Sequence, residues 1–124
     1  MNKLVGLLAA AAVLGCGTVR RIDHRLASLE LAPTGSDLLL TLRPAPGAKI
    51  NALAKPTLEL DDGRLITLEA PGLTPDSAYF STPPTARLAL PERLEGILRV
   101  GVCPAGLSVC QTISIPVHET FALP

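Results

Sequence analysis

Apolar side chains fall on every second residue along two late segments of this chain, and that spacing restricts both segments to extended structure. Leu98, Val100 and Val102 alternate with Arg99, Gly101 and Cys103, while Ile113, Ile115 and Val117 alternate with Thr112, Ser114, Pro116 and His118. Strand side chains point alternately to two faces, so each segment carries one apolar face and one polar face. The clearest hairpin lies earlier: Leu58 and Leu60 flank Glu59, then come Asp61-Asp62-Gly63-Arg64 and Leu65-Ile66-Thr67-Leu68-Glu69. Asp-Gly suits a tight turn that needs positive φ. Strands are expected at residues 24–31, 37–43, 57–60, 65–69, 87–90, 96–103 and 110–118. Twelve prolines and ten glycines in 124 residues supply many turns and leave little room for long helices. Residues 91–96 offer a helical alternative of barely one turn, and residues 70–84, with four prolines, are expected as a long loop. Short strands separated by regular turn signals predict an all-β fold, a small antiparallel β-sandwich over residues 24–124.

The first residues follow a different pattern. Asn2 and Lys3 make a short polar, positive start, and Leu4 to Leu14 are all apolar or Gly. A basic start followed by such a run is a secretory signal. About 20 helical residues are needed to cross a bilayer, and this run is shorter. It ends Val13-Leu14-Gly15-Cys16, which resembles the lipobox of bacterial lipoproteins. The resemblance implies cleavage before Cys16 and lipidation of its thiol, with residues 1–15 as the signal peptide. Residues 16–23 are then the lipidated N-terminus and tether. Two or more acyl chains on one residue give stable membrane anchoring. Gly17 follows the cysteine where lipoproteins retained in the inner membrane usually carry Asp. The resemblance thus implies a cell-envelope protein on the outer membrane, facing the periplasm.

Three cysteines occur, and lipidation of Cys16 leaves the even pair Cys103 and Cys110. Both fall on the polar face of their strands. If the two strands form a hairpin with residues 104–109 as its loop, the cysteines stand directly opposite each other, within disulfide reach. An exported compartment lets such a bond persist. A loop of eight residues stabilises the fold by about 2.5 kcal/mol in the chain-entropy model, so the bond serves as a hairpin staple.

A second interpretation of the same pair comes from a resemblance. Tyr79-Phe80, Arg87-Leu88-Ala89-Leu90-Pro91, Gly96-Ile97-Leu98-Arg99-Val100-Gly101-Val102-Cys103, Cys110 and Ile115-Pro116-Val117 together resemble the C-terminal half of the N-terminal periplasmic domain of the thiol:disulfide interchange protein DsbD. The resemblance covers about a third of the chain. It implies an immunoglobulin-like sandwich with Cys103 and Cys110 as a redox pair on adjacent strands and Tyr79 or Phe80 as the shielding aromatic. The spacing of the two cysteines is one residue longer than in that family. Gln111-Thr112 also stands where the family carries an aromatic and proline cluster.

Other chemistry lacks its residues. Removing Lys3 with the leader leaves a net charge of about −1, and Tyr79, Phe80 and Phe121 are the only aromatics, so nucleic acid is not an expected partner. Cys-x-x-Cys and Gly-x-Ser-x-Gly are both missing from the sequence. Cys110 and His118 stand about 26 Å apart on an extended strand, too far to share a metal, so neither metal nor cofactor is expected. Asp61-Asp62 is expected as a solvated turn. The expected function is therefore an envelope-anchored lipoprotein with a structural or protein-interaction role and a stapling Cys103–Cys110 bond. The alternative is thiol–disulfide exchange through those cysteines with another envelope protein.

Overall fold

The computed structural model describes residues 18–106 and 109–122. Residues 1–15, expected as a signal peptide, and Cys16 lie outside the described residues. Nine strands follow one another: β1 (Arg20–Asp23), β2 (Ala27–Thr34), β3 (Asp37–Pro44), β4 (Lys49–Ile50), β5 (Thr57–Leu60), β6 (Leu65–Thr67), β7 (Thr85–Ala89), β8 (Arg93–Cys103) and β9 (Gln111–Thr120). All pairings are antiparallel, and no helix occurs among the described residues.

The strands form a two-sheet sandwich. One sheet runs β1-β2-β3-β7. In the other, β8 is central: β9 pairs with one edge, while β5 and β4 share the opposite edge, and β6 extends from β5. Consecutive strands cross from sheet to sheet after β3, after β6 and again after β7. The β2-β3-β7 and β9-β8-β5-β6 neighbours are therefore those of an immunoglobulin-like sandwich.

The period-two pattern sets the core. Leu29 and Leu31 of β2 pair with Leu42 and Leu40 of β3, and all four are fully buried. Across the sandwich, Leu58, Leu98, Val100, Val102, Ile115 and Val117 supply the facing layer. Leucine fills the space that aromatics occupy in many sandwiches; Phe121 is the only aromatic in the buried core.

Several elements depart from the sequence expectations. Residues 20–23, assigned to the tether, form β1 and pair with Ser28–Leu31 of β2. Ile22 then packs partly against the core. The expected strand at 24–31 is consequently divided by a bend at 25–26. β8 begins at Arg93 rather than Gly96, so the one-turn helical alternative at 91–96 is replaced by strand. Gly96 lies inside this strand, opposite Leu60 of β5. A Cβ there would collide with the carbonyl oxygen of Glu59. Glycine in a strand interior marks such close backbone approach.

Gly96→Ala is expected to destabilise the domain by about 1–3 kcal/mol through overpacking. Urea unfolding measures this, with Gly101→Ala as the milder comparison, because its Cβ would meet Asn51 at 3.2 Å.

Candidate functional site

The β8–β9 register places the two cysteines. Arg99 pairs with Ser114, Gly101 with Thr112 and Val102 with Gln111. The next position brings Cys103 opposite Cys110, as the alternation of the two strands predicts. The two are joined by a disulfide, with Cα atoms 4.0 Å apart. Both project from the outer face of the sheet, on the side of Arg99 and Thr112 rather than that of Val100 and Ile113.

Their environments differ. Cys110 is exposed, whereas Cys103 retains only 6 % of its accessible surface. Parity alone places both on the polar face and does not distinguish their burial. Lys49 of β4 is the direct cross-strand neighbour of Cys103 on the other edge of β8. Beyond β4, the expected long loop at 70–84 folds into a small hairpin. Leu73 bridges Phe80, and Asn51 bridges Tyr79. The Phe80 N–H donates to the Ile50 carbonyl at 3.0 Å, and the Ala52 N–H donates to the Ala78 carbonyl at 2.8 Å. The hairpin thus continues the sheet.

This pairing separates the two aromatics. Tyr79 shares the outward face with Asn51, Gly101 and the disulfide. Its hydroxyl donates to Cys103 Sγ at 3.6 Å. Phe80 points the other way and packs against the hydrophobic core. Of the two candidate shielding aromatics, Tyr79 touches Cys103, whereas Phe80 packs against the core. Lys49 Nζ lies 5.2 Å from the Tyr79 ring centroid, within cation–π range.

The hairpin turn holds itself in shape. The Thr74 hydroxyl donates to an Asp76 carboxylate oxygen at 2.6 Å, and the Ala78 N–H donates to the same oxygen at 3.1 Å. These bonds, the hydroxyl first, hold the Asp76 carboxyl below its ordinary range; the Lys49 charge adds a smaller lowering. Ser77 adopts a φ of 60°, unusual for a residue with a Cβ.

On the exposed side, Cys110 opens onto a shallow groove of about 280 Å³, lined also by Asn51, Lys55, Thr57, Arg99 and Thr112. The two groove cations are paired: Arg99 with Glu59 at 2.7 Å and Lys55 with Glu69 at 2.6 Å. Gly47, at a φ of 79°, lies against Ala105, where its own Cβ would fall 2.8 Å from the alanine methyl. The β3–β4 turn thereby braces the loop that follows Cys103. His118 pairs in register with Glu95, well up β9 from the cysteines. Among the described residues, no three His, Cys, Asp or Glu side chains are placed to hold a metal.

The sequence singled out Cys103, Cys110 and, as alternatives, Tyr79 and Phe80, but carried no sign of Lys49 and Asn51, which lie beside them in the sheet. A two-residue strand carries no periodicity; the only local signal is the Pro46-Gly47 turn before it. Comparison with known proteins returns no matching family model, no similar curated protein and no similar solved structure.

Two outcomes follow. Replacing both Cys103 and Cys110 by alanine is expected to cost about 2–3 kcal/mol, read from urea unfolding. Asp76 has a lowered folded pKa, so its contribution is fully present above the ordinary Asp value. It is lost as pH falls through the lowered value. Tyr79 is the only tyrosine and tryptophan is absent. Its fluorescence should therefore change through that acid window, and Asp76→Asn should remove the change.

Proposed function

We propose that this protein is an envelope-anchored lipoprotein whose Cys103–Cys110 bond exchanges with the thiols of another envelope protein. The observation that carries this reading is the unequal burial of the two sulfurs. Thiol–disulfide exchange needs one accessible sulfur for attack and a defined leaving sulfur. Cys110 is exposed beside the open groove, and Cys103 is buried with the Tyr79 hydroxyl against its sulfur. The tyrosine contact agrees with the resemblance of residues 79–117 to the DsbD periplasmic domain.

The balance of the reaction is simple. A partner thiolate attacks Cys110 Sγ, the Sγ–Sγ bond breaks, and its electron pair leaves on Cys103 as a thiolate. A second thiolate of the partner then attacks the partner's own sulfur in the mixed disulfide and releases Cys110. The partner dithiol is oxidised by two electrons, and the Cys103–Cys110 pair is reduced.

Anchoring at Cys16 suits this chemistry. Arg20, at the start of β1, donates to the carbonyl of Thr120 and pairs with Glu119 at the end of β9. Thr120 in turn pairs with Arg93, where β8 begins. The disulfide is ten residues further along β8, about 33 Å away at about 3.3 Å per residue. A lipid close to Arg20 would hold one pole of the sandwich at the outer membrane and direct the disulfide pole into the periplasm.

The second reading, a purely structural staple in a protein-interaction domain, is favoured by the closure of one hairpin loop across directly paired residues. Two measurements separate these readings. Exchange predicts that Cys103→Ser, which leaves the exposed Cys110 unpaired, traps mixed disulfides with envelope proteins. It also predicts a reduction potential above about −300 mV for the native bond. A silent trap and a lower potential would leave only the staple. For the anchor, Cys16→Ser is expected to abolish fatty-acid labelling and release the protein from the membrane fraction.

A further inference from the structure

We infer that Lys49 and Tyr79 form a site that stabilises Cys103 as the departing thiolate when the disulfide opens. The inference rests on the exchange function proposed above and deepens it by assigning positioning residues to that reaction.

Two observations, one contact and one register pairing, bear on the buried residue Cys103. Lys49 is the register partner of Cys103 across the β4–β8 edge, so both side chains project from the same face. Directly opposed strand residues have Cβ atoms about 4.5–5.5 Å apart. The Tyr79 hydroxyl, reaching from the hairpin beyond β4, donates to Sγ at 3.6 Å. The ammonium group lies over the same tyrosine ring. Cys103 thus faces Cys110 on one flank and a cation and a hydroxyl donor on the other.

In the disulfide, Cys103 Sγ is neutral and gains little from a cation. When a partner thiolate bonds to Cys110, the electron pair of the Sγ–Sγ bond moves to Cys103, and negative charge develops beside Lys49 and the Tyr79 hydroxyl. A nearby opposite charge and a donated hydrogen bond both favour the ionised thiol. A thiol of lower pKa leaves faster. Burial acts in the opposite direction, because it penalises the thiolate, so the two groups offset the cost of leaving into a covered site.

Other charged groups modulate this arrangement. Asp76 is the nearest acid on the covering hairpin and feels the Lys49 charge. Arg99 lies four residues back on the same face of β8 but is engaged by Glu59. From β9, the residues after Cys110 are the uncharged Gln111 and Thr112. Lys49 is therefore the cation in register with the leaving cysteine and over the ring of the tyrosine that touches it, placed there because β4 pairs with the end of β8.

The test uses the full chain in two backgrounds. In Cys110→Ser, ultraviolet thiolate absorbance follows ionisation of Cys103 against pH. Lys49→Gln is expected to raise the pH of ionisation by about half a unit or more, and Lys49→Arg to restore it. In the native disulfide protein, Lys49→Gln is expected to slow reduction by dithiothreitol about threefold or more. Tyr79→Phe keeps the ring and loses only the hydroxyl; it should move both readouts in the same direction. Arg21→Gln, at the far pole, should move neither. If ionisation and reduction rate are unchanged in both Lys49→Gln and Tyr79→Phe, the leaving-group site is overturned while exchange itself stands. If dithiothreitol opens the native bond only after urea unfolds the domain, the exchange function fails, and the leaving-group role fails with it.

Discussion

The pairing of β8 with β9 is the constraint on which the rest of the molecule depends. β8 is the hub of its sheet, hydrogen-bonded to β9 on one edge and to β5 and β4 on the other. Its register with β9 buries Leu98 against Ile115 and Val100 against Ile113. A one-residue slip of β9 would turn Ile113 and Ile115 out to solvent, because strand side chains alternate with a period of two. The same register puts Cys103 opposite Cys110. The core and the disulfide are therefore two consequences of one alignment.

Magnitudes separate what holds the sandwich together from what decorates it. Ion pairs such as Arg43–Glu30, Arg87–Asp37 and Arg99–Glu59 cross between strands on exposed faces. Such pairs contribute about 0–1 kcal/mol each. A fully buried leucine contributes about 1.5–3 kcal/mol, and among the described residues eight leucines have no accessible surface. Stability resides in the leucine layer. The surface charges are consequently free to serve other ends, and Lys49, in register with Cys103, is one that carries no core packing.

The disulfide shows how a structural bond and a reactive bond differ through surroundings rather than through connectivity. Closing a hairpin loop constrains the unfolded chain wherever the bond sits. Reactivity depends on access to one sulfur and on the charge environment of the other. Here the unequal access arises from a segment remote in sequence. The 73–80 hairpin lies alongside β4 and carries Tyr79 over Cys103, leaving Cys110 open to the groove.

Much of this was legible in the residues themselves. Period-two alternation in 96–103 and 110–118 determined two strands, their buried faces and the facing cysteines, because adjacent pairing and side-chain parity are local properties. Asp62-Gly63 likewise determined the β5–β6 turn, where Gly63 has a φ of 91°. Other features had no local signature. β1 reads as tether until β2 is there to pair with it. β4 is too short to show a period. Phe80 and Tyr79 are adjacent and chemically alike, and only the bridge between Asn51 and Tyr79 turns one toward the core and the other toward the sulfur. The faces of each strand follow from the order of its own residues. Which cysteine is buried, and which hydroxyl touches it, follows from pairing between segments far apart in sequence, so it is decided only when the sheets assemble.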